Sequence, residues 1–190
     1  ETALLERDIE VENLDGDEIR TNLHPDLGFS REDRATNNRR TAFICKLLNR
    51  NDIPTVTGMI TPFRESQQQA REIVEPEGTF VLIHVKCSVE EAKRRDPKGL
   101  YEQAERGEIE KFTGINHPFQ PPHDPDIVVD TETNAIEENV ETILEYLVAE
   151  EVVENDPDRE YSFDISGSEE AEIRERLESL GYLADEETEE

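Results

Sequence analysis

Apolar residues recur along the chain with two different periods. A short run over 9–14, carrying Ile9, Val11 and Leu14, predicts a first strand. Residues 54–60 are β-branched and apolar and predict a second strand. The run 80–85 is dense enough to read as a buried parallel strand, and 127–129 predicts the last one. His84 falls inside the third run on the same side as Leu82, the placement of a core or near-core histidine. Between these runs the spacing is helical. Ala35, Phe43, Leu47 and Leu48 give 31–49 an apolar face, and Ser30 with Asp33 has the form of a capping box that opens it. A second helix follows Phe63 and runs to about Val74, and Ser88 with Glu91 opens a third that reaches Arg95. Asn134 and Glu137 are the expected caps of a helix to about Glu150, with Ile136, Val140, Ile143, Leu144 and Leu147 at helical spacing. Strands alternating with helices predict an α/β fold with a mostly parallel sheet and flanking helices.

The 190 residues divide by character into a domain over 1–150, an acidic linker over 151–167, and a C-terminal helix with an acidic tail over 168–190. In the last segment Ser168 is the expected cap, Ile173, Leu177 and Leu180 share a face, and Gly181 is the stop. The net charge is −28, from 48 acids against 20 bases, which excludes DNA, RNA or an anionic membrane as a general partner. Such acidity fits either disorder or a folded domain whose surface suits high salt. The regular apolar spacing favours the second, because salt screens the self-repulsion. Cys45 and Cys87 are isolated, as reduced thiols of a cytoplasmic protein would be. No apolar run is long enough to span a membrane.

The chemistry begins where the first strand ends. Asp15-Gly16-Asp17 places two carboxylates around a glycine, and in open α/β sheets ligands sit beyond the carboxyl ends of the strands. Arg20, Arg34 and Asn37 follow. Guanidinium forks and an amide suit phosphate or sulfate oxygens, and Arg34 and Asn37 lie in the first turns of a helix, where anions are favoured. Acids for a metal or a proton, beside forks for an anion, point to phosphoryl transfer or nucleotide handling. The stretch 96–115 has the character of a lid. It is charged, it carries Gly99, Gly107 and Gly114 as hinges, and it presents Tyr101 and Phe112. Lys98 and Arg95 can meet phosphates as it closes, and Phe112 can stack on a base. Phe63 reads first as core packing, with stacking against a base the weaker reading of the residues alone. His117 and His123, six apart across three prolines, lack metal spacing.

Five motifs resemble the adenylyl-sulfate kinase family in its order and spacing. They are Asp15-Gly16-Asp17; Gly28-Phe29-Ser30-Arg31-Glu32-Asp33-Arg34; Ile60-Thr61-Pro62-Phe63-Arg64; Arg95-Asp96-Pro97-Lys98-Gly99-Leu100-Tyr101; and Phe112-Thr113-Gly114-Ile115. The resemblance runs from about Glu1 to about Val148. It implies a P-loop kinase-like sheet, with ATP and Mg²⁺ at the site and adenosine 5′-phosphosulfate as the small-molecule acceptor. ATP would give its γ-phosphoryl group to the acceptor's 3′-hydroxyl, yielding 3′-phosphoadenosine 5′-phosphosulfate in sulfate assimilation. It also implies roles for individual residues. Asp15 and Asp17 orient hydrated Mg²⁺ and assist the attacking hydroxyl. Lys98 meets charge at the transferred group. Arg20, Arg34 and Asn37 hold the phosphosulfate. Phe29 and Phe112 sandwich the substrate adenine. Ile60, Thr61 and Pro62 lie beside the sugar-phosphate, Leu100, Thr113 and Gly114 line the acceptor site with the lid, and Arg95 helps cover ATP. The family usually has Ser where Thr61 stands, and both carry a hydroxyl.

The nucleotide loop Gly-x-x-x-x-Gly-Lys-Ser/Thr is not in these residues and is expected upstream of Glu1. The expectation is a chain whose first, central strand and phosphate loop are missing and which is inactive alone. The family often dimerises, so a homodimer is the implied assembly. The alternative reading is a non-catalytic nucleotide-binding or regulatory module derived from such a kinase. The presence of Asp15, Lys98 and Phe112 favours the enzyme.

Overall fold

In the computed structural model, residues 1–154 are described. The order is α1 (Thr2–Leu5), β1 (Glu12–Asp15), α2 (Gly16–Asn22), α3 (Arg31–Asn49), β2 (Thr55–Gly58), α4 (Arg64–Val74), a 3-10 turn (Glu75–Glu77), β3 (Ile83–Lys86), α5 (Val89–Arg95), α6 (Leu100–Glu105), β4 (Ile127–Asp130) and α7 (Ile136–Ala149). Each of the four predicted strands is present, and the first three are shorter than their apolar runs. The C-terminal helix and its caps, expected over 168–180, lie outside the described residues.

Helical crossovers force parallel pairing. β1 pairs with β2 from Glu12↔Thr55 to Asp15↔Gly58, across α2 and α3. β3 pairs with β4 from Ile83↔Ile127 to Lys86↔Asp130, across α5 and α6. Among the described residues these are two separate two-stranded ladders. The third run is therefore less buried than its composition suggests: with one paired neighbour, Val85 is 60% exposed, and Val128 on β4, opposite His84, is 51% exposed. His84 is half-buried, its ring 6.2 Å from Phe119, and burial with nearby Lys86 pushes its pKa down.

The main core joins Leu14, Ile19, Ala42, Cys45 and Val74, with Ile44, Leu48, Ala70, Ile73 and Phe80 packed against it. Burying a Leu- or Ile-sized side chain is worth about 1.5–3 kcal/mol, so this cluster fixes α2, α3 and α4 around the end of β1. Ile127, Val129 and Leu144 are buried where α7 meets β4. Val153 is also buried, and its N–H donates to the Leu147 carbonyl at 3.1 Å, so the packed chain continues past the end of α7.

The capping box of α3 forms. Ser30 Oγ accepts from Asp33 N at 3.1 Å, and Asp33 Oδ2 accepts from Ser30 N at 3.3 Å. The buried face of α3 differs from the expected one. Arg34, Asn37, Asn38, Thr41, Ala42 and Cys45 turn inward, while Phe43 is 53% exposed. At α7 the N-cap is Ala135 rather than Asn134, and Glu138 rather than Glu137 accepts from the cap N–H, at 2.9 Å. Asn134 instead donates to Asn139 Oδ1 at 3.3 Å, a local bond that a capping side chain would forgo.

Candidate active site

Asp15 ends β1 and caps α2. Its Oδ1 accepts from the N–H groups of Asp17 and Glu18 at 2.9 and 3.1 Å. The strand therefore delivers a carboxylate whose position is fixed by the helix it starts. Gly16 is required by the neighbouring strand: a Cβ there would lie 2.8 Å from the Gly58 carbonyl oxygen. Asp17 projects from the first turn of α2 into solvent. Lys98, from the lid segment, reaches its Oδ2 at 3.2 Å, bridging chain segments 81 residues apart. Two carboxylates thus stand at one strand end, with a cation from the lid on the second.

The anion-binding candidates gather at the start of α3. Arg34 is only 8% exposed. Its Nε donates to the Phe29 carbonyl at 3.2 Å and its Nη2 to the Lys111 carbonyl at 2.8 Å. One guanidinium therefore ties the turn carrying Phe29 to the lid residue just before Phe112. Arg20 donates to the Gly28 carbonyl at 3.0 Å. The Phe29 ring lies 4.6 Å from the Arg20 guanidinium carbon and 5.5 Å from that of Arg34. Burial lowers the pKa of both arginines, with Asp33 and Asp17 opposing the fall at Arg20 and Arg20 adding to it at Arg34. Both remain cationic at neutral pH, because arginine titrates far above it. Asn37 is 3% exposed, one turn further along α3.

Phe112 packs edge-on against Tyr101 with centroids 4.9 Å apart, leaving Phe29, 55% exposed, as the more open of the two aromatic candidates. Gly114 takes φ +88, the left-handed region that side chains disfavour, and its N–H donates to the His117 carbonyl at 2.9 Å. Thr113 Oγ1 and His117 Nδ1 are both buried without a hydrogen-bond partner. Burial, then Arg34, Lys111 and Arg31, holds the His117 pKa down, so its ring is neutral beside the cations. Thr61 follows β2 with φ 38, a strained value for a β-branched residue, and its carbonyl accepts from Gln67 at 2.9 Å. The Pro62 carbonyl accepts from Gln120 N at 2.8 Å. Ile60 is 64% exposed, and Leu100 opens α6 at 36% exposure. Phe63 resolves toward packing, since it is 2% exposed between Arg31 and the His117 ring.

Arg95 stands apart from this group. It donates to Glu91 at 2.7 Å and to the Thr131 carbonyl at 2.5 Å. The Glu91 carboxylate also takes Arg94, and the two arginines pull its pKa from 4.5 to about 2. A depressed carboxyl contributes stability that is complete above its unfolded value and disappears as pH falls through the folded one. Thermal midpoints measured between pH 4.5 and about 2 are expected to fall less steeply in Glu91→Gln than in the unaltered protein. An unchanged slope would remove this pair from the acid response.

Nothing in the sequence singles out Lys111, whose contribution is a backbone carbonyl, or His24, which contacts Asn37. A carbonyl acceptor leaves no residue-type signal, and a histidine in a loop without a partnering motif does not announce one. Among the described residues no group of three or more His, Cys, Asp or Glu side chains forms a metal cage. The two carboxylates at Asp15 and Asp17 suit Mg²⁺, which keeps most of its waters and takes one or two carboxylates beside substrate phosphates.

Carboxylates at the carboxyl end of a parallel strand, a buried arginine fork and a charged lid-like segment carrying Lys98 and two aromatic rings define a nucleotide-handling phosphotransferase of the α/β kinase type. The profile of the adenylylsulphate kinase family matches residues 1–130. The adenylyl-sulfate kinase of Staphylococcus carnosus is 47% identical over 153 residues, covering 80% of this chain and 76% of that one. The structure of the Mycobacterium tuberculosis APS kinase in complex with AMPPNP and APS superposes with a TM-score of 0.73 at 36% identity, covering 77% of this chain and 84% of that one. A hexameric APS kinase from Thiobacillus denitrificans superposes with a TM-score of 0.60 at 28% identity, covering 82% of this chain and 26% of that one. The chain belongs to the adenylyl-sulfate kinase family.

Proposed function

We propose that this domain transfers the γ-phosphoryl group of ATP to the 3′-hydroxyl of adenosine 5′-phosphosulfate. The observation that carries the reading is Arg34, whose fork joins the Phe29 turn to the Lys111-Phe112 segment of the lid. Closure over a substrate adenine and assembly of the anion site are then one event. The aromatic faces of Phe29 and Phe112 take the adenine. Arg20, Arg34 and Asn37 take the phosphosulfate, with Thr113 and Gly114 beside Phe112 and Leu100 on the lid helix. Ile60, Thr61 and Pro62 flank the sugar-phosphate from the end of β2.

Asp15 and Asp17 are the residues that would hold hydrated Mg²⁺, which when bound offsets phosphate charge. The 3′-oxygen gives its proton to a carboxylate at the end of β1 and attacks the γ-phosphorus. The new O–P bond forms as the bond to the β-phosphate bridging oxygen breaks, releasing ADP. Lys98, already paired with Asp17, brings positive charge to the transferred group as the lid closes. Positioning and electrostatics carry such a transfer. Arg95 extends over the nucleotide from its anchor on Glu91 and Thr131.

We place the protein in the cytoplasm, consistent with free Cys45 and Cys87. No helix among the described residues is long and apolar enough to cross a membrane. A homodimer is the assembly that the family implies.

The test is transfer of label from γ-³²P-ATP in the full-length gene product, at high salt. Label is expected in 3′-phosphoadenosine 5′-phosphosulfate, dependent on added phosphosulfate. Phosphosulfate binding without any transfer would favour the non-catalytic module.

A further inference from the structure

Asn37 Oδ1 lies 2.8 Å from His24 Nδ1, and both residues are 3% exposed. An amide oxygen only accepts, so in this arrangement His24 carries its proton on Nδ1 and donates. No hydrogen bond from the Asn37 amide Nδ2 stands among those of the described residues, and the buried side-chain amide nitrogen without a partner on this helix is that of the next residue, Asn38. The reversed arrangement would have Nδ2 donate to an unprotonated Nδ1 and turn the carbonyl oxygen outward. The surroundings select between the two. Asn37 follows Arg34 by three positions on the buried face of α3, and Arg34 and Arg20 flank Phe29. A site built from two guanidinium groups takes an anion, and an anion needs donors on every side.

We infer that His24 is a positioning residue, whose Nδ1–H fixes the Asn37 carboxamide with its NH₂ turned toward the bound phosphosulfate. The inference rests on the reading of Arg34 and Asn37 as the anion site. His24 is well placed to do this. Its own N–H donates to the Ile19 carbonyl at 3.0 Å, and its carbonyl accepts from Leu27 at 3.1 Å. Arg40 clamps the same loop to α3 through both oxygens of Asp26, at 2.9 and 3.0 Å. Thr41 Oγ1 donates to the Asn37 carbonyl at 3.0 Å, so the helix turn on the other side of the pair is also fixed. Both backbones are held, so the tautomer of His24 sets the orientation of the amide.

The test is a double-mutant cycle on phosphosulfate binding by calorimetry in the full-length protein. His24→Phe keeps the aromatic volume and removes the donor, and is expected to weaken binding about tenfold, as loss of an aligned hydrogen bond to a charged group does. In the Asn37→Ala background the same substitution is expected to cost nothing more. His24→Gln, which keeps a donor, is expected to recover most of the affinity. An equal penalty in both backgrounds, or no penalty in either, overturns the positioning role. No binding by the unaltered protein overturns the site reading and this inference with it. The ¹⁵N spectrum of the unaltered protein reads the tautomer without any substitution: a protonated His24 Nδ1 supports the arrangement, and a bare Nδ1 refutes it.

Discussion

Arg34→Lys is expected to weaken binding of adenosine 5′-phosphosulfate about 100-fold and to lower stability by about 2 kcal/mol, although the charge is retained. Arg34 does two things at once through different nitrogens. Nε holds the Phe29 carbonyl and Nη2 holds the Lys111 carbonyl, 77 residues further along the chain. A lysine ammonium is a single point of charge and cannot span both acceptors. One carbonyl loses its partner, and the lid loses its tie to the Phe29 turn. The remaining amine also sits in a site that already lowers guanidinium pKa values by burial. The loss should appear in the phosphosulfate affinity far more than in the KM for ATP, because none of the Arg34 contacts involves the Asp15 or Lys98 side of the site. Calorimetry with each nucleotide, beside a thermal melt, checks the pattern. Equal losses for both nucleotides would make Arg34 a general strut and not an acceptor-site residue.

The start of α3 is legible in the sequence because Ser30 and Asp33 carry a local signal that no tertiary contact needs to complete. Apolar runs locate the strands but not their ends. A run marks residues that avoid water, whereas a strand ends where its ladder partner ends, as at Asp15↔Gly58. The face of α3 escapes the same reasoning. Apolar periodicity assumes that what is buried is hydrophobic. Here Arg34, Asn37 and Thr41 are buried because each finds a polar partner inside, the Phe29 and Lys111 carbonyls, His24 and the Asn37 carbonyl, and Phe43 is left outside. The caps of α7 shift by one residue because Asn134 bonds Asn139 instead. Residue types alone single out the acids, the forks and the aromatics as candidates. They do not reveal that Lys98 meets Asp17, that Arg95 is tied down by Glu91 and Thr131, or that a histidine holds Asn37. Those pairings depend on how distant segments are brought together, and spacing along the chain does not encode it.

The comparison of Asp15→Asn with Asp15→Ala separates two roles that one carboxylate holds. Its Oδ1 caps α2 through Asp17 N and Glu18 N, which is structural, while the proposed reaction gives its charge a second role, at the reacting phosphates. Asparagine caps a helix as well as aspartate does, and alanine costs about 1 kcal/mol at such a position. Asp15→Asn is therefore expected to melt close to the unaltered protein, and Asp15→Ala to melt lower. Both lose the negative charge that, on the proposed mechanism, would take the hydroxyl proton and hold hydrated Mg²⁺. Removing a positioned general base costs about 10²–10⁴ in rate, so kcat should fall by that order in both variants. Phosphosulfate affinity should hold in Asp15→Asn, since the proposed anion site of Arg20, Arg34 and Asn37 lies on α2 and α3 and none of the three bonds Asp15. The decisive result is kcat in Asp15→Asn. A fall of two orders or more with an intact melt assigns chemistry to the charge. A kcat near that of the unaltered protein would leave Asp15 as a helix cap and shift the catalytic carboxylate to Asp17, whose pairing with Lys98 already places it within reach of the lid.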